Sequence, residues 1–424
     1  MFIIKKIAAF IILAFIFLTV SLDISAIERR RDQYGKDFSY YLYPIGGDIP
    51  GLGQAFGAGG SALNIANTDM DFVGYYIRGD FDATGATLLD IQLIKRRLIF
   101  DIGYNDFLVA PIVYNRGIKS NPNDFIQPKV QGAYFLGQMT LSFSERQYEY
   151  FYRYLRGYNN LLQILNNKGE EFDLEDTERE TIVSHSIGAS IDYTDDKLDP
   201  RRGIRFEVAA KLPVSREDLY SENIIIDYNL TAYFPVHKWD TLVFNIFHSH
   251  AYITRKGSTD FDALKNEIGL DCDQRAPGDQ EDCRATEKEN IDQAIANNRY
   301  GTATPLGGTQ RLRSFDNGRY YAGQSLSYGV EYRWNITDEY TPFNIYIAKG
   351  VRTGLQLALF WEQGSVADEF RDLFKTQRRS YGFGFRLLLT GVVIRADFAR
   401  GNEGNEFQLF ITYPWSMFSV DNPG

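Results

Sequence analysis

The sequence predicts an all-β fold, a transmembrane antiparallel β-barrel, with sixteen strands and one long extracellular loop. Three observations carry the barrel. The chain opens like an exported protein, no later run reaches the ~20 apolar residues a spanning helix needs, and two-residue alternation of apolar and polar side chains dominates residues 54 to 413.

The opening comes first. Lys5 and Lys6 form a short basic region, Ile7 to Val20 is almost wholly apolar, and Ser21 to Ala26 is more polar and ends on small residues. That order is a secretory signal peptide over 1–26, with cleavage near Ala26. An uncleaved N-terminal anchor is the rival reading. Residues 27–53 are expected to be a short periplasmic segment, too short for a folded domain.

The alternation is clearest late in the chain. Tyr381, Phe383, Phe385, Leu387 and Leu389 oppose Gly382, Gly384 and Arg386; Ile394, Ala396 and Phe398 oppose Arg395 and Asp397. Leu326 to Trp334, Leu355 to Trp361 and Phe407 to Tyr413 repeat the pattern. Apolar-out, polar-in strands of about ten residues with aromatic ends are how a barrel meets lipid outside and a wet or plugged lumen inside. A soluble sandwich would alternate as well, but without such long apolar faces in every strand or aromatics at their ends. Earlier strands read as 54–64, 71–83, 86–94, 97–107, 129–143, 147–157, 181–194, 203–213, 222–235 and 240–253. Fifteen candidates result, and because single-chain bacterial barrels usually have an even number, a sixteenth is expected at Phe38–Tyr43 or within Leu108–Tyr114. Barrel residues are therefore 54–413, with a polar insertion at 254–322 and a tail at 414–424. Gly157–Glu180 and Gly364–Arg379 read as shorter charged loops, and Ala285 to Ala296 as a surface helix.

Composition agrees. The chain has 28 Tyr, 31 Phe and 37 Gly, yet its mean hydropathy is slightly negative, as half-wet strands require. A net charge of -10 argues against a nucleic-acid partner and suits acidic external loops. Cys272 and Cys283 are the only cysteines, both in one polar segment of an exported chain, so they read as a loop disulfide. A zinc pair is the rival, but no second Cys/His pair has suitable spacing. His248 and His250 share a strand face without a third ligand nearby. No segment presents a Ser/His/Asp set, and Gly51–Gly60 follows no strand–helix pattern. No enzyme, metal or cofactor is expected.

The insertion ends in Leu312-Arg313-Ser314-Phe315. This segment resembles the Val-Arg-Gly-Phe/Tyr sixth-loop motif of the bacterial surface antigen superfamily, the BamA, TamA and FhaC group of outer-membrane barrels, with Ser314 in place of glycine. Phe360 to Val366 resembles that family's Phe-x-Asp-x-Gly-x-Val strand, Gly391 to Ala399 its penultimate strand, and Asp195 to Gly203 its Asp-Asn…Pro-x-x-Gly periplasmic turn. The resemblance covers roughly residues 180 to 413. It implies that the long insertion is the sixth extracellular loop and folds into the lumen, carrying Arg313 to where Glu331, Glu362 and Asp397 are candidate acceptors, Glu362 and Asp397 foremost; an ordinary solvated loop is the plain reading of Arg313. Asn402, Gly404, Phe407 and Leu409 resemble the C-terminal signal read by barrel-assembly machinery. The implied function is assisting insertion or export of proteins at the outer membrane of a Gram-negative-type bacterium. Its mechanism would be a seam between first and last strands, opening laterally beside a glycine-rich strand at Gly57 to Gly60. Implied partners are outer-membrane lipid and client proteins or a separate periplasmic protein, since the family's POTRA domains find no room before residue 54. A passive diffusion channel, or a structural or antigenic surface barrel, is the other class.

Overall fold

The computed structural model describes residues 28–34, 37–171, 179–213, 218–237, 240–270, 272–274, 278, 280–338, 342–390, 392–415 and 417. The expected signal peptide lies outside them. Sixteen antiparallel strands close into one barrel. They are β1 (Ser39–Ile49), β2 (Gly53–Leu63), β3 (Asp71–Gly79), β4 (Asp82–Ile94) and β5 (Leu98–Val109). Next come β6 (Phe125–Phe143), β7 (Tyr148–Asn166), β8 (Glu180–Thr194), β9 (Gly203–Lys211), β10 (Glu222–Pro235) and β11 (Thr241–Arg255). The set ends with β12 (Gln324–Asp338), β13 (Thr353–Ala367), β14 (Arg378–Leu389), β15 (Val392–Gly401) and β16 (Asn405–Ile411).

The barrel begins earlier than the alternation suggested. Ser39–Ile49 pairs with all of β2, so the missing strand comes first in the chain and most of the expected N-terminal segment is barrel wall. Its small residues and its Tyr-x-Tyr pairs hid a weak period-2 signal. The glycine-rich stretch Gly57 to Gly60 consequently lies in β2, and the seam strand is β1. Val113 and Tyr114 make only a short pairing with Ile126 and Phe125. Tyr158–Asn166 continues β7 opposite β6, where a loop was expected, because its side chains pair across the strands despite their polar character.

Inside and outside separate as the pleat requires. Tyr381, Phe383, Phe385, Leu359 and Phe398 project outward, while Arg386, Gln356 and Asp397 are buried inward. No helix among the described residues is long and apolar enough to cross a membrane. One rim carries the N-terminal arm; the other carries the long loops together with the short turns 50–52, 80–81 and 402–404. The sixth loop of that second rim joins β11 to β12 and holds α1 (Phe261–Ile268) and α2 (Gln280–Tyr300). The Asp260 carboxylate accepts from the amides of Asp262 and Ala263, which starts α1. Cys272 and Cys283 are joined beside these helices.

Candidate functional site

The second half of the sixth loop turns back and descends into the lumen. Gly307 makes the first bend with φ of 111°, and a Cβ there would lie 2.2 Å from the Asp316 carbonyl, so no other residue fits. Leu312, Phe315 and Tyr320 bury together against Phe247 and Val366 on the barrel wall. This apolar cluster holds the loop tip at the depth of the strand centres. Leu312 takes the left-handed conformation, φ 53°. The tip's unusual backbone therefore sits at residue 312 rather than at Ser314, which is why serine is tolerated where the resemblance has glycine. Room for Ser314 comes from the wall: a Cβ on Gly401 would stand 2.1 Å from Ser314 Oγ. The Ser314 amide donates to Ser380 Oγ at 3.0 Å.

Arg313, with 0% of its surface exposed, meets all three lumenal carboxylates. Its Nε donates to Glu362 Oε1 at 3.1 Å and its own amide donates to Glu362 Oε2 at 3.0 Å. Nη1 donates to Glu331 Oε2 at 3.0 Å and to Asp397 Oδ2 at 2.9 Å. The guanidinium carbon lies 3.4 Å from the centroid of the Phe360 ring. A charge so deep is tolerable only because Nε and Nη1 are engaged by carboxylates of β12, β13 and β15 and the guanidinium face by an aromatic ring, while Nη2 is buried without a hydrogen-bond partner among the described residues. Three more arginines complete the network. Arg333 Nε donates to Glu331 at 2.8 Å, Arg386 Nη2 to Glu331 at 3.2 Å and Arg395 Nη1 to Asp397 at 2.7 Å; Arg386 also pairs with Asp397. Four guanidiniums thus share three carboxylates. Among the described residues Glu362 has Arg313 as its only directly ion-paired arginine, with Arg311 acting on it at longer range.

Sequence reasoning missed a second occupant of the lumen. Just after β16, Trp415, 3% exposed, lies inside the barrel and packs against Tyr233 and Val243. Its Nε1 donates to Glu362 Oε1 at 3.0 Å, and its carbonyl accepts from Asn229 Nδ2 at 2.8 Å. The only signal was that the chain runs on past a strand-ending Tyr413 to another tryptophan. At the upper rim, Arg319 grips Glu403 through Nε and Nη2 at 2.8 and 3.0 Å, tying the loop to the turn that opens β16. Asn402 and Gly404 lie in that turn, Phe407 faces outward against Phe398, and Leu409 stands opposite Asp48 of β1. These four residues form no cluster. His248 and His250 stack along β11, and among the described residues no group of acids, histidines or cysteines could hold a metal.

The turn Asp195–Arg202 gathers the segments that precede β1 and follow β16 at the lower rim. Arg30 Nε meets Asp195 Oδ2 at 2.8 Å, Arg31 pairs with Asp196, and Tyr413 Oη donates to Asp199 Oδ1 at 2.9 Å. Burial pushes the Asp199 carboxyl up, but the neighbouring Arg201 and Arg30 guanidiniums outweigh it and hold it below the usual aspartate range.

The seam is the weakest junction of the wall. β1 and β16 share a single register pair, Asp48 with Leu409, whereas β15 and β16 pair from Ile394–Ile411 through Arg400–Asn405.

Fold and site together define a closed sixteen-stranded transmembrane barrel whose sixth loop is pinned in the lumen by one buried arginine, with a short-paired seam between first and last strands. No family model matches the sequence, and no curated protein does. Solved barrels are similar in architecture. BamA of Haemophilus ducreyi lacking POTRA domains 1–3 aligns with a TM-score of 0.47 at 12% identity, over 89% of this chain and 70% of that one. CdiB of Escherichia coli aligns at 0.49 and 10%, over 89% and 63%, and CdiB of Acinetobacter baumannii at 0.46 and 11%, over 89% and 60%. The chain spans less than two thirds of either CdiB chain.

Proposed function

We propose that this chain is an outer-membrane barrel that assists the insertion or export of other proteins, working through the seam between β1 and β16. The observation that carries the reading is the seam itself, held by the lone Asp48–Leu409 pair beside fully paired neighbours. An edge with unused backbone donors and acceptors templates an incoming strand. The lumen supports the same reading from the other side. With the Arg313 network, the apolar loop cluster and Trp415 inside it, the wall must open sideways for a chain to pass. The arginine network keeps loop and wall rigid while the seam moves, since its carboxylates come from β12, β13 and β15 rather than from β1. Lipid and unfolded barrel proteins are the partners this surface suits, with no nucleic acid, cofactor or catalysis.

The test is a seam lock. Asp48→Cys with Leu409→Cys places two thiols at directly opposed positions, within disulfide reach. In proteoliposomes, folding of a purified test barrel is followed by its heat-modifiable gel shift. Oxidation should abolish the assistance and reduction restore it; equal assistance in both states overturns the reading. Planar-bilayer conductance tests the channel alternative. Wild type should be silent or nearly so, and deletion of residues 300–320 should open it.

A further inference from the structure

β16 stops at Ile411, well before β1 reaches the lower rim. From the Asp48–Leu409 register, the part of β1 below Ile45 has no residue of β16 to face. A bare edge there would leave backbone groups unsatisfied at the membrane boundary, which is costly. The chain covers it with a piece of itself. The connection between β12 and β13 forms a small hairpin, Phe343–Ile345 against Ala348–Val351. This hairpin passes under the ends of β14 to β16 and pairs with β1. Tyr40 stands opposite Lys349 and Tyr41 opposite Ala348, and the Leu42 amide donates to the Ile347 carbonyl at 3.0 Å.

Its seat is built for one strand. Ala348 and Val351 are buried against Tyr41, Tyr43, Leu389 and Ile411. The Tyr41 hydroxyl donates to the Thr390 carbonyl at 2.8 Å. Gly350, φ 69°, passes so close to β1 that a Cβ would come within 3.0 Å of the Phe38 carbonyl. Yet the hold is short. Two register pairs join the hairpin to β1, and its tip, Ile345-Tyr346-Ile347, is exposed, Tyr346 to 96%.

We infer that the hairpin Phe343–Val351 is a displaceable stopper: the β1 edge at Tyr40–Leu42 is a strand-acceptor site, and an extended partner segment with alternating apolar side chains takes the hairpin's place. This inference rests on the seam reading above and adds its regulation. The partner's chemistry follows from what it replaces. Small or β-branched residues are needed where Ala348 and Val351 sit, and apolar ones on the outward face beside Leu42, which is the pattern of an unfolded barrel strand. A site occupied in cis binds in trans only through its open fraction, so removing the stopper tightens binding and fixing it weakens binding.

The test uses the full chain in lipid nanodiscs and a fluorescein-labelled peptide of four Val-Thr repeats flanked by lysines, read by anisotropy. Tyr40→Cys with Lys349→Cys locks the hairpin, because opposed strand residues lie at about 5.5 Å between Cα atoms and within disulfide range. Replacing residues 344–350 by Gly-Gly removes it. The locked, oxidised protein should bind about tenfold more weakly than its own reduced form, and the trimmed protein about tenfold more tightly than wild type. If trimming prevents folding, the oxidised-to-reduced comparison stands alone. Identical binding in the oxidised and reduced lock overturns the stopper. If that occurs while the Asp48–Leu409 lock still blocks assembly of the test barrel, the seam reading stands without the stopper. If the hairpin variants shift peptide binding while the seam lock changes nothing, β1 accepts strands but does not insert proteins.

Discussion

Replacing Arg313 by alanine should release the sixth loop from the wall, and the network predicts how the loss is distributed. Four arginines and three carboxylates become three and three. Glu331 keeps Arg333 and Arg386, and Asp397 keeps Arg386 and Arg395, so both remain neutralised. Among the described residues Glu362 keeps two neutral donors, the Trp415 indole and the backbone amide of residue 313, but loses its one directly paired guanidinium, with Arg311 acting on it only at longer range. Breaking a buried pair in this way costs about 3–5 kcal/mol, against ~0–1 kcal/mol for an exposed loop arginine. The pairwise couplings should therefore be unequal. In double-mutant cycles, Arg313→Ala with Glu362→Gln should couple by about 2–3 kcal/mol and with Asp397→Asn by about 1 kcal/mol. Urea unfolding in lipid vesicles gives the stabilities, and trypsin cleavage at the loop gives the release directly. Couplings below about 0.5 kcal/mol for both pairs would mean that no latch exists. A larger coupling to Asp397 than to Glu362 would refute the charge accounting.

Other outcomes follow from single contacts. Gly401→Ala should push the loop tip off β15 at a cost of about 1–3 kcal/mol, seen as loop cleavage like that of Arg313→Ala, because the new methyl would overlap Ser314. Leu359→Arg, on an outward side chain in the middle of β13, should lose ~2–4 kcal/mol in bilayers; a wild-type folding yield would mean the outward face does not meet lipid. Cys272 and Cys283 should react with a membrane-impermeant maleimide only after reduction, and breaking a loop of eleven positions should loosen α1 and α2 by about 2–3 kcal/mol. Asp199 is held below its ordinary range, so its contribution to docking the N-terminal arm is present above the unfolded aspartate pKa of ~3.9 and is lost as pH falls through its lower folded value. A nitroxide at Glu28→Cys should become mobile as the pH is lowered below the ordinary aspartate range, and a spectrum unchanged throughout an acid titration would exclude the Asp199 contact as the anchor.

The alternation of Tyr381 to Leu389, Ile394 to Phe398 and Leu355 to Trp361 was enough to establish a barrel and to tell the lipid side from the lumen, because a pleated strand in contact with lipid must place apolar groups on one face only. The inward acids Glu331, Glu362 and Asp397 were legible for the same reason, whereas the descent of Leu312–Phe315 into the lumen was legible only through its resemblance to the sixth-loop motif. What the residues on the inward face touch was not legible. Gln356 points inward by pattern, but only the closed structure shows it packed and bonded to Asn335, so an arginine there would be crowded and not merely wet. β1 escaped the pattern because glycine, proline and tyrosine blur its period, and it becomes a strand only when β2 pairs along its whole length. The entry of Trp415 into the lumen, the hairpin at the β1 edge and the seating of Arg30 and Arg31 on the Asp195–Arg202 turn join residues up to more than three hundred positions apart. No local propensity encodes such meetings. They exist because closing the barrel brings its first and last strands together, leaves part of one edge and one lumen to be filled, and lets the chain's own turns, sixth loop and Trp415 fill them.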